Sequence, residues 1–304
     1  MESGAQIDRL DADPVEYYMF QGVITDPGRH VHLLDSLPSG IGELCLVVQR
    51  LLLHIFWAER YGAKLSQERQ REVNLRHVSR MMARIGDLDD RPLSEARPLD
   101  KRLVGNCRDF SVLLCSMLRH QGVPARARCG FGTYFLPNHY EDHWVCEYWN
   151  AAQQRWVMVD AQLDDFQQRA LGIDFDPLDV PSDRFITGGK AWQMCRSGGA
   201  NPDSFGIFDM RGLWFVRGDL VRDLASLNKM ELLPWDSWGI MESEDKNLSP
   251  DDFALLDRAA ALTLEDNVGF LAMRDFYDNE PRLRVPGTIH SYGAGGVQTV
   301  HLFA

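Results

Sequence analysis

The sequence has no basic block. Its 32 Lys and Arg are outnumbered by 44 Asp and Glu, for a formal net charge of -12, and they nowhere gather into a cluster. Phosphate backbones and anionic lipid surfaces are bound by such clusters, so neither nucleic acid nor a membrane is expected as a partner. The acidic excess serves solubility. Long apolar runs are missing as well. The most apolar stretch, LCLVVQRLLLHIFWA (44–58), is interrupted by Gln49, Arg50 and His54, falls short of the roughly 20 residues that span a bilayer, and reads as a buried helix. Cysteine is scarce, with six residues at irregular spacings in 304; this excludes a disulfide framework and fits reduced thiols. The opening MESGAQIDRLDADP lacks the basic-then-apolar order of an export signal, so a cytoplasmic location is expected. Internal repeats and low-complexity tracts are also missing, which excludes solenoid and fibrous architectures.

What is present is ordinary globular material: 45% hydrophobic and 25% charged residues, enough for a substantial core. Residues 1–38, with turn signals at Asp26-Pro27-Gly28 and Leu37-Pro38, read as an irregular lead-in. Apolar residues from Leu44 to Phe56 recur at helical intervals, predicting a helix over Ile41 to Tyr61 that Gly62 ends. A second, amphipathic helix is predicted from Ser66 to Ile85, with Val73, Val78, Met81, Met82 and Ile85 turned to the core. A third begins at or near Cys107 and runs to Gln121, stopped by Gly122 and Pro124. Strands follow over Ala125 to Phe135, His143 to Trp149 and Arg155 to Leu163. Helices followed by strands predict an α+β core over 39–165. Residues 166–304 form a C-terminal extension, a mosaic of Gly, Pro, Trp and Asp with one clear helix at Asp251 to Thr263, expected to pack on the core as a cover that limits substrate access.

A thiol becomes a strong nucleophile when its pKa is lowered, and the unpaired N–H groups and dipole at a helix N-terminus do that. Cys107 is placed in that way, whereas Cys45 and Cys115 lie inside helices, where a cysteine is an inert core residue. A thiolate also needs an imidazole to carry protons and an acceptor to orient the imidazole. In DHWVCEYW the residues His143, Val145, Glu147 and Trp149 share a strand face, and in RWVMVDAQL so do Trp156, Met158 and Asp160. If NAAQQ is the turn of a hairpin, His143 and Asp160 fall nearly opposite each other, at a separation of roughly 4.5–5.5 Å between Cβ atoms. Glu147, on the same face, is the next candidate should Asp160 fail.

The run GNCRDFSVLLCSMLRHQGVPARARCGF (105–131), followed by DHWVCEYW (142–149) and RWVMVDAQ (155–162), resembles the core of the transglutaminase-like superfamily, Cys-His-Asp thiol enzymes related to the papain-like ones, in a stand-alone, bacterial-type form. The family's order is a cysteine at a helix start, an apolar helix, a G-x-P-A-R turn into a strand, an H-W strand and a W-x-x-x-D strand. The resemblance implies Cys107 as nucleophile, His143 as base and acid, and Asp160 as orienter. It further implies acyl transfer or hydrolysis at an amide or thioester carbonyl, on a peptide, a protein or a carrier-bound acyl group. The calcium-binding extensions of animal cross-linking enzymes are not apparent, and no cofactor or metal is expected. The family also includes members that have lost catalysis, so a binding or scaffolding module on the same fold is the alternative.

The remaining candidates are weaker. His139 and His143 are four apart but span the loop LPNHYED, which does not aim two rings at one ion as a helix would; His139 reads as a loop residue or part of the mouth of the site. Tyr134, Tyr140 and Trp144 are the expected substrate contacts among the aromatics near His143. The glycine pairs at 188–189, 198–199 and 295–296 lack the context of phosphate loops and read as turns.

Overall fold

The computed structural model describes residues 13–265, 267–293 and 295–302; expectations for residues 1–12 lie outside these. Helix α1 (Ile41–Leu51) is followed by β1 (Leu52–His54), α2 (Val78–Leu88), β2 (Leu103–Gly105) and α3 (Cys107–His120). Strands β3 (Ala125–Gly132), β4 (Tyr140–Asn150) and β5 (Arg155–Val159) come next, then α4 (Asp165–Leu171), β6 (Phe185–Thr187), α5 (Gly188–Arg196), β7 (Phe205–Ile207), β8 (Met210–Arg211) and α6 (Leu213–Leu227). The chain ends with β9 (Asp236–Ser237), α7 (Pro250–Leu264), α8 (Phe270–Asn279), β10 (Thr288–Gly293) and β11 (Gly296–His301). The fold is α+β. Among the described residues no helix is long and apolar enough to cross a membrane.

Two compact units divide the chain, and each takes non-contiguous segments: the first holds Tyr18–Ala127 and Trp144–Pro181, the second the chain up to Tyr17, Arg128–His143 and everything from Ser182. In the first, α1 packs on α3 through side chains such as Leu44, Val48, Leu113 and Leu114, all fully buried. The long helix predicted over 41–61 stops at Leu51, because Leu52, Leu53 and His54 pair in parallel with Leu103, Val104 and Gly105. A wholly buried apolar run has no periodicity to tell helix from strand, and the ladder with β2 decides.

The second predicted helix is likewise broken. Ser66 caps a single turn, Gln67–Gln70, which tightens into a 3-10 turn, Arg71–Asn74, and regular helix resumes only at Val78. The reason lies at the start of α3: the buried Arg108 guanidinium takes hydrogen bonds to the carbonyls of Leu75 and Arg76, which are thereby withdrawn from a helical ladder. The core residues Val78, Met81, Met82 and Ile85 are buried on α2 as expected.

Strand β5 ends at Val159 rather than Leu163. Asp160 donates its backbone N–H to the Pro177 carbonyl and accepts from the Gln162 N–H, which turns the chain away. The β4–β5 hairpin also has a register two residues from the expected one: Cys146 faces Val159 and Glu147 faces Met158. Continued, it would set Gln162, not Asp160, across from position 143. Asn150 stays in the ladder opposite Arg155 while its Oδ1 accepts from the N–H groups of Ala152 and Gln153; Gln154, at φ 52°, closes the loop. A shift of two preserves the alternation of faces.

The main sheet is six-stranded, in the order β6-β3-β4-β7-β8 with β5 also paired to β4, and β11-β10-β9 form a separate three-stranded sheet. Where one clear helix was expected, the described residues of the second unit hold four helices of eight residues or more, α5 to α8. Helix α6 eluded the pattern because Arg217, Asp219 and Asp223 point inward with its apolar residues, so it is buried on nearly every side. Gly188 and Gly189 are not a turn but the start of α5, pressed against α6 and α7: a Cβ at Gly188 would lie 2.5 Å from the Asp219 carbonyl oxygen, and one at Gly189 3.0 Å from the Ala260 oxygen.

Two glycines allow opposite expectations. A Cβ on Gly130 would meet the Ile186 carbonyl oxygen at 2.2 Å, so Gly130→Ala must separate β3 from β6 and is expected to cost about 1–3 kcal/mol. Gly86, inside α2, has nothing within 4 Å of its would-be Cβ, and Gly86→Ala is expected to stabilise by about 0.5–1 kcal/mol. Urea unfolding of the two variants beside wild type checks both signs.

Candidate active site

Cys107 is the first residue of α3, and the helix begins there because Asn106 and Asp109 form a capping box. The Asn106 side chain accepts from the Arg108 N–H at 3.0 Å, and Asp109 Oδ2 accepts from the Asn106 N–H at 2.9 Å. Arg108 completes the arrangement, donating to Asp109 Oδ1 at 2.9 Å from a position with no exposed surface. Burial pushes the Asp109 carboxyl up, and the Arg108 guanidinium beside it works in the opposite sense. The N-x-x-D pattern of Asn106 to Asp109 is a capping signature carried by the sequence itself. At the other end of α3, Gly122 adopts φ +74° and turns the chain into β3, as the G-x-P-A-R run implied.

Asp160 lies one residue beyond β5, in the same unit as Cys107, with 1% of its surface exposed. Besides the Gln162 N–H it faces Cys45, whose thiol is raised to about 12, mainly by burial and further by the Asp160 charge. Glu147, the fallback for Asp160, is committed elsewhere: Arg126 donates to it at 2.6 Å and stacks 4.2 Å from the Trp156 ring.

His143 belongs to the second unit, at the point of β4 where the units divide. It is 2% exposed and ringed by aromatics: Phe135 at 4.8 Å, Tyr134 at 5.9 Å and Phe185 at 6.3 Å between centroids. Tyr134, one of the expected substrate contacts, is thus brought beside the imidazole. Phe185 was not anticipated, since a single Phe in DRFITGG carries no local signal, and pairing of β6 with β3 is what brings it in. Tyr140 stacks on Phe205 at 4.2 Å, and Trp144, in the first unit, is 1% exposed. His139 is not an exposed loop residue: it is 8% exposed, bonded to the Gly206 carbonyl at 3.1 Å, and burial lowers its pKa.

Residues 66–161 match the family model of the Transglutaminase-like superfamily. That stretch is transglutaminase-like. That matched stretch contains Cys107, His143 and Asp160. Two solved structures show a weaker likeness to the chain: a protein described as a putative cysteine protease from Cytophaga hutchinsonii, 14% identical, with 57% of this chain and 45% of that one covered and a TM-score of 0.34, and red sea bream transglutaminase, also 14% identical, with 49% and 30% covered and a TM-score of 0.30. The chain therefore spans less than half the length of either. No curated protein matches it.

The other thiols of the chain differ from Cys107 in setting. Cys45 is raised to about 12 and Cys195 to about 11, in both cases chiefly by burial; burial also drives up Cys129 and Cys146, the last further raised by its contact with Cys115, 3.3 Å away. Reaction with iodoacetamide requires thiolate, so at neutral pH and limiting reagent Cys107 is expected to be alkylated first. Peptide mapping of the adducts checks this, and predominant labelling of Cys195, the most exposed of the six, would count against it.

Proposed function

We propose that the chain is a cysteine-dependent enzyme of acyl transfer or hydrolysis, with Cys107 as nucleophile, His143 as general base and acid, and Asp160 as the carboxylate that orients the imidazole. The observation that carries this reading is the place of Cys107: the first residue of a capped, buried helix within the transglutaminase-like stretch. A helix start presents backbone N–H groups and the positive end of the dipole, which favour a thiolate.

In the proposed reaction the Cys107 Sγ attacks an amide or thioester carbonyl and His143 protonates the leaving amine or thiol. Water or an amine then attacks the acyl-enzyme, giving its proton to His143 and releasing Cys107. Tyr134, beside His143, together with Tyr140 and Trp144, would shape the approach of the acyl donor, which we take to be a peptide, a protein or a carrier-bound acyl group.

Turnover of one acyl donor by wild type, Cys107→Ala, Asp160→Asn and the double variant, with thermal midpoints for each, tests the assignment. Asp160→Asn is expected to keep its midpoint within a few degrees and lose roughly 10⁴-fold in turnover, as a lost orienter does. Cys107→Ala should fall further, and the double variant should be no worse, because the residues act as one unit. Intact-mass analysis after exposure to a panel of amide and thioester donors should show an acyl adduct on wild type and none on Cys107→Ala. Wild-type turnover by Asp160→Asn would falsify the triad. Equal ligand binding by wild type and Cys107→Ala, with turnover by neither, would instead make the chain a binding module.

A further inference from the structure

Three elements of the second unit converge on a point that the proposed reaction does not use. Cys129 on β3, Asp142 on β4 and Asp219 on α6 each offer one ligand atom, all within 4.8 Å of one another. Cys129 has no exposed surface, Asp219 has 1% and Asp142 9%. Each carboxylate has a buried oxygen that no donor from outside the cluster reaches among the described residues, Oδ1 of Asp142 and Oδ2 of Asp219, and Asp219 stands within hydrogen-bond contact of both Asp142 and Cys129. Ionised, a buried carboxylate oxygen without such a donor is costly and calls for an explanation.

The surroundings are built around these three groups. The second oxygen of Asp219 accepts from Arg222 at 3.1 Å. The backbone N–H of Cys129 is held by Asp223 Oδ1 at 3.1 Å, and Asp223 is itself clamped by both arms of Arg128 at 2.9 and 2.8 Å. The close approach at Gly188 fixes the α6 backbone at Asp219 itself. With thiolate and both carboxylates ionised the cluster carries three negative charges; Arg222 offsets one and leaves two, the charge of a divalent cation. Burial raises Cys129 and Asp219 well above their ordinary values and raises Asp142 as well, in each case against the charged form.

We propose that Cys129, Asp142 and Asp219 form a binding site for one divalent cation of the zinc class. One thiolate and two carboxylates form a mixed soft and hard donor set, which suits zinc better than calcium or magnesium, whose ligands are oxygen alone. Ligands held at about 2.0–2.3 Å around a tetrahedral ion lie roughly 3.3–3.8 Å apart, so the three donors need close by only about an ångström. Binding would displace any protons on these groups and join β3, β4 and α6 at one point, with Asp142 adjacent in sequence to His143.

The test uses the full chain, freed of metal by a chelator and titrated with Co²⁺ alone. One equivalent should bind and produce a near-ultraviolet thiolate-to-cobalt charge-transfer band, and added Zn²⁺ should abolish it. The band should persist in Cys107→Ala and vanish in Cys129→Ser. Asp142→Asn and Asp219→Asn, which keep side-chain shape, should each weaken binding at least tenfold. If Cys129→Ser does not fold, X-ray absorption of the zinc-loaded wild type decides instead, with one sulfur expected at about 2.3 Å and the remaining donors oxygen at about 2.0–2.2 Å. A band lost in Cys107→Ala, a zinc shell without sulfur, or no stoichiometric binding overturns the proposal; the last result would mean that the two carboxyls simply share protons.

Discussion

The buried Arg108 guanidinium organises the start of α3. It pairs with Asp109, which holds the Asn106 N–H, while Asn106 holds the N–H of Arg108 in return. Its other bonds, to the Leu75 and Arg76 carbonyls, tie the segment ahead of α2 to the same point. A fully buried cation is stable only when its donors are matched, and the cost of leaving Asp109 alone in that interior would be several kcal/mol. The position of Cys107 thus follows from a charge network in which the cysteine itself plays no part. Parallel pairing of β1 with β2 delivers the chain to Asn106.

The elements legible in the sequence were those whose signals are local. Helix α3 announced itself through a run of apolar residues and a stop at Gly122, while the capping box at its start went unread; α7 begins after the capping sequence Ser249-Pro250. The strands β3, β4 and β5 were found with ends displaced by a few residues. The long helix over 41–61 was misread because Leu51 to Leu53 are apolar on every side, which suits helix and strand equally, and only the distant Leu103 to Gly105 decides. The hairpin register was missed because it turns on the Asn150 side chain, which serves the loop while its backbone stays in the ladder. Helix α6 was hidden for the opposite reason: its inward face carries Arg217, Asp219 and Asp223, whose partners lie far away in sequence.

The candidate site divides along the same line. Cys107, His143 and Asp160 were named from motif order and strand alternation, which are properties of the chain alone. The aromatic surround of His143 was only half readable, since Tyr134 and Phe135 lie in the adjoining loop whereas Phe185 arrives through β6. The grouping of Cys129, Asp142 and Asp219 has no sequence signature, because the three stand far apart and no two share an element.

Strands β3 and β4 each pass from one compact unit to the other without interruption, so each unit is assembled from separated pieces of chain. This constrains how the protein can be made. A nascent chain that has left the ribosome as far as Ala127 holds most of the first unit but lacks Trp144–Pro181, including the β5 partner of β4. The intervening Arg128–His143 must wait for the segment after Ser182, which supplies β6, β7 and α6. Folding from the N-terminus, the usual course during synthesis, can therefore complete the first unit only once Pro181 has emerged. Residues 128–143 have each other's strands but remain without β6 and β7 until the ribosome has translated past residue 200, an interval of several seconds or more at about 5–20 residues per second.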